Sequence, residues 1–116
     1  MDEILQQALL YDFYGELLND HQKEIYEQFI LEDLSLSEIA EAEGISRQGV
    51  HDLVKRCQKA LEGYETRLHL VRRFLSIKEK VREMETLLDT AELTKENQGE
   101  LRRQVRELSD SILEVL

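Results

Sequence analysis

Residues 35–50 read SLSEIAEAEGISRQGV, and this stretch decides the fold. Ser35 and Glu38 have the spacing of a capping box, in which each side chain satisfies a free backbone amide at the start of a helix. Gly44 is the residue type best able to adopt the left-handed conformation that ends a helix. Ser46 is then placed to cap the helix that follows. The stretch therefore predicts two helices joined by a tight turn, which is the pattern of a helix-turn-helix.

Small and apolar side chains in and after this stretch predict how its two helices pack. Ala40 is small where the helices would cross, and Ile45 is expected to enter the core at the corner between them. Val50 and Leu53 are expected to anchor the second helix, which fixes its orientation. The same features also occur in helical proteins that have no binding partner, so the spacing alone leaves a purely structural role open.

If those positions face inward, a set of polar side chains is left on the outside of the second helix. Arg, Lys, Gln and His are suited to phosphates and to the edges of bases. We therefore predict a nucleic-acid interface in which three residues near the helix start contact bases or phosphates and two residues one turn later anchor the backbone. The first three are Arg47, Gln48 and His51, and the other two are Lys55 and Arg56.

The rest of the chain is also predicted to be helical. Apolar residues spaced three and four apart over residues 3–18 and 20–32 indicate two helices before the motif, lying antiparallel because their connection is short. The helix that starts at Arg47 is predicted to end near Glu62. We expect an all-α fold, with a helix-turn-helix bundle in residues 1–62 and a helical extension in residues 63–116.

The extension is predicted to serve dimerisation or partner binding. A long apolar stripe covers residues 64–88, and the last helix has heptad spacing. Because its seam would otherwise be exposed at the end of the chain, we expect a homodimer with contacts after Gly63. The alternative is a hairpin in which the last helix folds back onto its own chain. The seam residues are Leu101, Val105, Leu108, Ile112 and Val115, and the hairpin would cover Ile77, Val81, Met84 and Leu88.

Composition argues against several classes of protein. There is no run of roughly 18 to 20 apolar residues and the first residues are acidic, so we expect a cytosolic protein without a membrane span or signal peptide. A single cysteine, Cys57, excludes an internal disulfide. The histidines lie on separate predicted helices, and no nucleophile motif or phosphate-binding glycine loop occurs. We therefore expect no enzymatic activity, no catalytic residue, no metal site and no cofactor.

The charge distribution keeps two functions open. The net charge is −10, and residues 1–34 hold nine acids and one base, whereas residues 35–62 hold five acids and four bases. A nucleic acid would have to contact the middle of the chain against a repulsive background. The alternative is a protein-interaction module that binds its partner through the long C-terminal helices. Salt dependence distinguishes the two, since binding to a polyanion weakens steeply with salt.

Four stretches of the sequence resemble a known family. Residues 11–18 (YDFYGELL), 34–41 (LSLSEIAE), 44–52 (GISRQGVHD) and 61–65 (LEGYE) are similar to the YlxM family of helix-turn-helix proteins. Residues 36–65 also resemble region four of bacterial sigma factors. The resemblance implies a sigma-region-four-like fold. It also implies a role in the signal recognition particle (SRP) pathway, with DNA or SRP RNA and SRP proteins as partners.

Overall fold

The computed structural model describes residues 3–90, 92 and 94–116, and the regular secondary structure of these residues is entirely helical. The predicted all-α fold is therefore confirmed. Among the described residues, no helix is both long enough and apolar enough to cross a membrane. The elements are α1 (Glu3–Tyr14), a short 3-10 turn (Gly15–Leu17), α2 (Asp20–Ile30), α3 (Leu36–Glu43), α4 (Arg47–Leu68), α5 (Leu70–Thr90) and α6 (Gln98–Val115).

The helix-turn-helix formed by α3 and α4 has the ends that the sequence predicts. Ser35 Oγ accepts from the Glu38 amide at 3.1 Å, and Glu38 Oε1 accepts from the Ser35 amide at 3.1 Å. Gly44 ends α3 with a φ of 69°, a conformation that costs glycine little. Ser46 Oγ accepts from the amide of Gly49 at 2.9 Å and so caps α4.

The packing of the motif agrees with its predicted register at Ile39, Ala40 and Val50, whereas Leu53, which was expected to anchor α4, is only half-buried. Ile39 and Val50 are fully buried, and Ala40 is 8% exposed. Ile45 was expected to enter the core, and that expectation is wrong because its side chain stays 38% exposed. Ile45 lies in the short turn between α3 and α4, and solvent reaches part of its side chain there.

Helix α4 is the central element of the first part of the chain and packs against α1, α2 and α3. Its apolar face forms one core with residues from all three helices. Three tyrosines in that core find hydrogen-bond acceptors, which is what burial of a hydroxyl requires. Tyr11 donates to Glu27 at 2.5 Å, Tyr14 to Glu65 at 2.6 Å, and Tyr26 to Gln7 at 3.3 Å. The largest fully buried side chains among the described residues are Leu10, Tyr14, Ile25, Tyr26, Ile39, Val50, Cys57 and Leu61.

The predicted end of α4 near Glu62 is wrong, since the helix continues through Gly63 to Leu68. A glycine inside a helix costs about 1 kcal/mol relative to alanine, which the packing of the surrounding face outweighs. The break falls instead at His69, whose φ is 57°. The chain divides into two compact units after Val71. The division at residue 62 into a helix-turn-helix domain and an extension stays a prediction.

The second unit, residues 72–116, contains most of α5 and all of α6. Lys80 Nζ donates to the carbonyl of Ser111 at 3.3 Å, so the two helices fold back on each other. The heptad seam of α6 is half-buried, as are Ile77 and Met84 of α5. Within one chain the unit is therefore the hairpin that the sequence analysis held as the alternative. Val81 and Leu88, which that hairpin was expected to cover, remain 40% and 67% exposed.

Candidate nucleic-acid interface

The candidate interface is the exposed side of α4, and the buried side of the same helix determines its position. Val50, Val54, Cys57 and Leu61 recur every three or four residues and are buried against the bundle. Residues out of phase with this row must therefore face away from the core. The Ser46 cap fixes where the helix begins, and with it the place of each side chain along this surface.

The structure places all five predicted site residues on the accessible part of α4. Arg47, Gln48, Lys55 and Arg56 are exposed, and the side chain of His51 is 44% exposed. No hydrogen bond or ion pair engages Arg47, Lys55 or Arg56 within the described residues. Their charges are therefore available to a polyanion. That these residues bind a nucleic acid stays a prediction.

Asp52 is a residue of this surface that the sequence analysis missed. Gln48 Nε2 donates to Asp52 Oδ1 at 2.9 Å, and His51 Nδ1 lies 3.5 Å from the same oxygen. His51 Nδ1 is itself inaccessible and has no hydrogen-bond partner. Two of the three side chains predicted to contact bases therefore meet at one carboxylate. The signal was present in the sequence, since Gln and Asp four residues apart on a helix commonly pair.

The neighbouring helix of the motif is acidic. Helix α3 carries Glu38, Glu41 and Glu43 and contains no lysine or arginine. Hydrogen bonds from Ser35 hold the pKa of Glu38 below its usual value, so this carboxylate is charged at neutral pH. Glu43 accepts from Gln28 Nε2 at 2.6 Å. The positive charge of the motif is thus confined to α4, which provides a narrow basic strip beside an acidic helix.

The remaining reactive side chain near the strip is directed into the core. Cys57 is fully buried, and burial raises the pKa of its thiol to about 11. A neutral, inaccessible thiol contributes packing rather than nucleophilic or ligand chemistry. In the described ranges no three His, Cys, Asp or Glu side chains are grouped so that they could hold a metal ion. The chemistry that the exposed side of α4 offers is hydrogen bonding and charge pairing.

Comparison with known proteins identifies similar sequences. The family model UPF0122, described as "Putative helix-turn-helix protein, YlxM / p13 like", matches residues 1–104. The UPF0122 protein of Thermoanaerobacter sp. (strain X514) is 51% identical over 80 residues, which are 69% of this chain and 68% of that protein. Relatives from Symbiobacterium thermophilum and Acetivibrio thermocellus are 44% and 47% identical over 94 and 89 residues. These alignments cover 81% and 77% of this chain, and 88% and 74% of the two relatives.

Proposed function

The chain belongs to the UPF0122 family of YlxM / p13-like helix-turn-helix proteins, and from this premise we propose that it is a regulatory protein that binds nucleic acid through α4. One observation carries the proposal. Helix α4 is the second helix of a fully capped motif, and its outer side presents Arg47, Lys55 and Arg56 without protein partners. This is the element that helix-turn-helix proteins place in the major groove.

Each side chain has a distinct role in the proposed complex. Arg47 can form two parallel hydrogen bonds with a guanine or a phosphate, and Gln48 can do so with an adenine. His51 can donate to either kind of acceptor. Lys55 and Arg56 lie one to two turns further along α4 and pair with phosphates, which gives affinity without sequence preference. Gln48 must exchange its hydrogen bond with Asp52 for one with the ligand.

The proposed ligands are DNA or the RNA of the signal recognition particle, with proteins of that particle as further partners. The resemblance of four stretches of the sequence to the YlxM family supports this choice. All of these partners occur in the cytosol, where we place the protein. Since the basic strip holds few cations and faces an acidic background, we expect affinities of about micromolar in the absence of a partner protein.

The proposal is tested by titrating fluorescent SRP RNA and a random-sequence duplex at two salt concentrations. We expect the variant Arg47→Ala, Gln48→Ala, His51→Ala to lose discrimination between ligands while its helical content and melting temperature stay nearly unchanged. Lys55→Ala with Arg56→Ala should weaken binding to both ligands alike. It should also lower the salt slope by about two phosphate contacts.

A matched control removes two positive charges from the second unit. Lys95 and Arg82 are exposed, form no ion pair within the described residues, and do not lie on α4. Lys95→Ala with Arg82→Ala should bind both ligands with nearly the affinity of the parent protein. If this control weakens binding as much as the Lys55 and Arg56 variant does, the contact is a general charge effect and the assignment to α4 fails.

A second candidate function is a protein-interaction module. The observation that favours it is the concentration of acid before and within the motif, including the carboxylate of Asp52 inside the basic strip. Such a module would bind its partner through the C-terminal helices, and an apolar helix contact is insensitive to moderate salt. If the parent protein binds neither the RNA nor the duplex at low salt, this second function replaces the first.

A further inference from the structure

The hairpin of the second unit has two different faces. One face holds a groove of about 930 Å³ whose apolar lining is Leu87, Leu88, Leu101 and Val105. Val81 lies two turns before Leu88 on α5, and Leu113 lies one turn after Ser109, which also lines the groove. We call the surface formed by Val81, Leu88, Leu101, Val105 and Leu113 the open face.

The opposite surface of the hairpin is polar. A second and smaller depression there is lined by charged, amide and hydroxyl side chains together with Leu108 and with Leu87, which also lines the first groove. We call this surface the polar face, and its members include Glu79, Glu83, Thr86, Gln104 and Glu107. Three of the exposed large apolar residues of this unit, Val81, Leu88 and Leu113, are 40%, 67% and 66% exposed, and by helical phase they belong to the open face.

The hairpin has too little core to be stable by itself. Of the described residues from Arg72 onward, none is fully buried, and α6 has no buried residue along its 18 positions. Isolated helices of this length are marginal in water unless an amphipathic face is packed. Contiguous exposed apolar side chains on such a unit mark a surface that another helix covers.

The charges beside the open face indicate what covers it. On α5, Glu85 and Asp89 flank Leu88, and on α6, Arg102 and Arg106 line the same groove as Leu88. The acidic and basic pairs therefore lie at the same height along the hairpin. All four residues are exposed, and none of them forms an ion pair or hydrogen bond within the described residues. At this level of the hairpin the face thus carries acid along α5 and base along α6, and Asp110 of α6 lies one turn further along the same groove.

We propose that the open face binds the open face of a second copy of this chain. A two-fold axis parallel to the hairpin places α5 of each copy against α6 of the other, because the same surface must contribute to both sides of the contact. Glu85 and Asp89 of each copy then meet Arg102 and Arg106 of the other. Leu88 of each copy enters the apolar groove of the other copy. The product is a four-helix bundle with a shared core.

The first test measures mass in solution by light scattering at tens of micromolar protein. We expect a dimer for the parent chain and a monomer for Val81→Asp and for Leu113→Asp, because each places a charge in the shared core. The matched controls Thr86→Asp and Gln104→Asp put the same charge on the polar face and should remain dimeric. A monomeric parent chain overturns the proposal, as does equal dimerisation by the open-face and polar-face variants.

The second test exchanges charges and does not depend on how well an apolar variant folds. One variant carries Glu85→Arg with Asp89→Arg, and the other carries Arg102→Glu with Arg106→Glu. In a homodimer of either variant, α5 of one copy meets α6 of the other with charges of the same sign. The dissociation constant of that homodimer should therefore rise about tenfold. Mixing the two should restore the affinity as a heterodimer, since α5 of each then meets an opposite charge on α6 of the other. If mixing restores nothing, the proposed pairing of α5 with α6 is wrong.

Discussion

Asp52 shows how a single residue can set the electrostatics of a small interface. Its carboxylate accepts a hydrogen bond from Gln48 and lies 3.5 Å from His51 Nδ1. It also lies three and four residues before Lys55 and Arg56, which places its charge among theirs. A phosphate approaching α4 is therefore repelled at the centre of the strip that attracts it. We expect this residue to reduce non-specific affinity.

The expected effect of Asp52→Asn is tighter binding to every polyanion. The amide keeps the shape of the side chain and can still accept from Gln48, whereas the repulsion of phosphates is lost. Affinity for a random duplex should rise by roughly threefold to tenfold at low salt, and the gain should shrink as salt screens it. Asp12→Asn is the matched control, because Asp12 is an exposed residue of α1 and the change in net charge is the same. Equal gains for both variants would show that net charge alone is responsible.

The positions of the site residues could be predicted from sequence, but their partners could not. Exposure of Arg47, Lys55 and Arg56 follows from the helical phase of Val50, and the structure places all three outside as expected. The meeting of Gln48 and His51 at Asp52 depends on rotamers, which no sequence period describes. The depth of Ile45 was mispredicted for a related reason. How far a corner residue reaches inward depends on the position of the helices around it.

Among the helices, the break between α4 and α5 is fixed by residues distant in the sequence. The hydroxyl of Tyr14 accepts from the amide of Leu70 at 3.0 Å, and Glu65 Oε1 accepts from the amide of Val71 at 3.0 Å. These contacts satisfy two of the free amides that every helix start exposes. Gly63 suggested that α4 ends near residue 62. The helix in fact ends at Leu68, and the Tyr14 hydroxyl that binds the start of α5 lies on α1. Local sequence rules therefore predicted a boundary here and placed it at the wrong residue.

Two glycine substitutions test how tightly the helices of the first unit pack. A Cβ at Gly15 would lie 2.8 Å from the ring of Tyr11, whereas a Cβ at Gly63 would meet no atom within 4 Å. Gly15→Ala should therefore destabilise the unit by about 1–3 kcal/mol through overpacking. Gly63→Ala should stabilise it by about 0.5–1 kcal/mol, because alanine restricts the unfolded chain and favours the interior of α4. Urea denaturation followed by circular dichroism measures both. A stabilised Gly15→Ala variant would contradict the close approach of Tyr11.

For the whole molecule, the two units differ in what stabilises them. Residues up to Val71 enclose a core of apolar and tyrosine side chains, while the second unit pairs two helices in which no described residue is fully buried. The heptad spacing of α6 predicted that its seam would be covered. It could not predict that α6 of the same chain would cover Ile77 and Met84 but leave Val81 and Leu88 exposed. That outcome depends on how α5 is rotated about its own axis. The apolar stripe of α5 is wider than its contact with one other helix, so the stripe alone is compatible with more than one rotation.

The buried tyrosine hydroxyls and the buried Cys57 thiol of the first unit should make the protein less stable at alkaline pH. Burial raises the pKa of Tyr26 to about 12 and that of Cys57 to about 11, from ordinary values of 10.0 and 9.0. Burial and nearby carboxylates also raise the pKa values of Tyr11 and Tyr14. Between the ordinary and the raised values, the folded chain binds protons that the unfolded chain has released. The stabilisation that these groups contribute is therefore fully present below pH about 9, and the free energy of unfolding falls as the pH rises toward about 12.

Urea denaturation at pH about 8, 10 and 11 should show this loss, with phenolate absorbance rising as the chain unfolds. Tyr26→Phe removes one of the responsible groups, so its stability should fall less steeply above pH about 10, although the variant also loses the hydrogen bond to Gln7. The quantity that decides the prediction is the slope of stability against pH, compared between Tyr26→Phe and the parent protein. The lost hydrogen bond lowers stability at every pH by a similar amount and so does not change this slope. A parent protein whose stability is the same at pH about 8 and 11 would mean that these hydroxyls ionise without unfolding. The core would then be more accessible to solvent than the burial of Tyr14 and Tyr26 indicates.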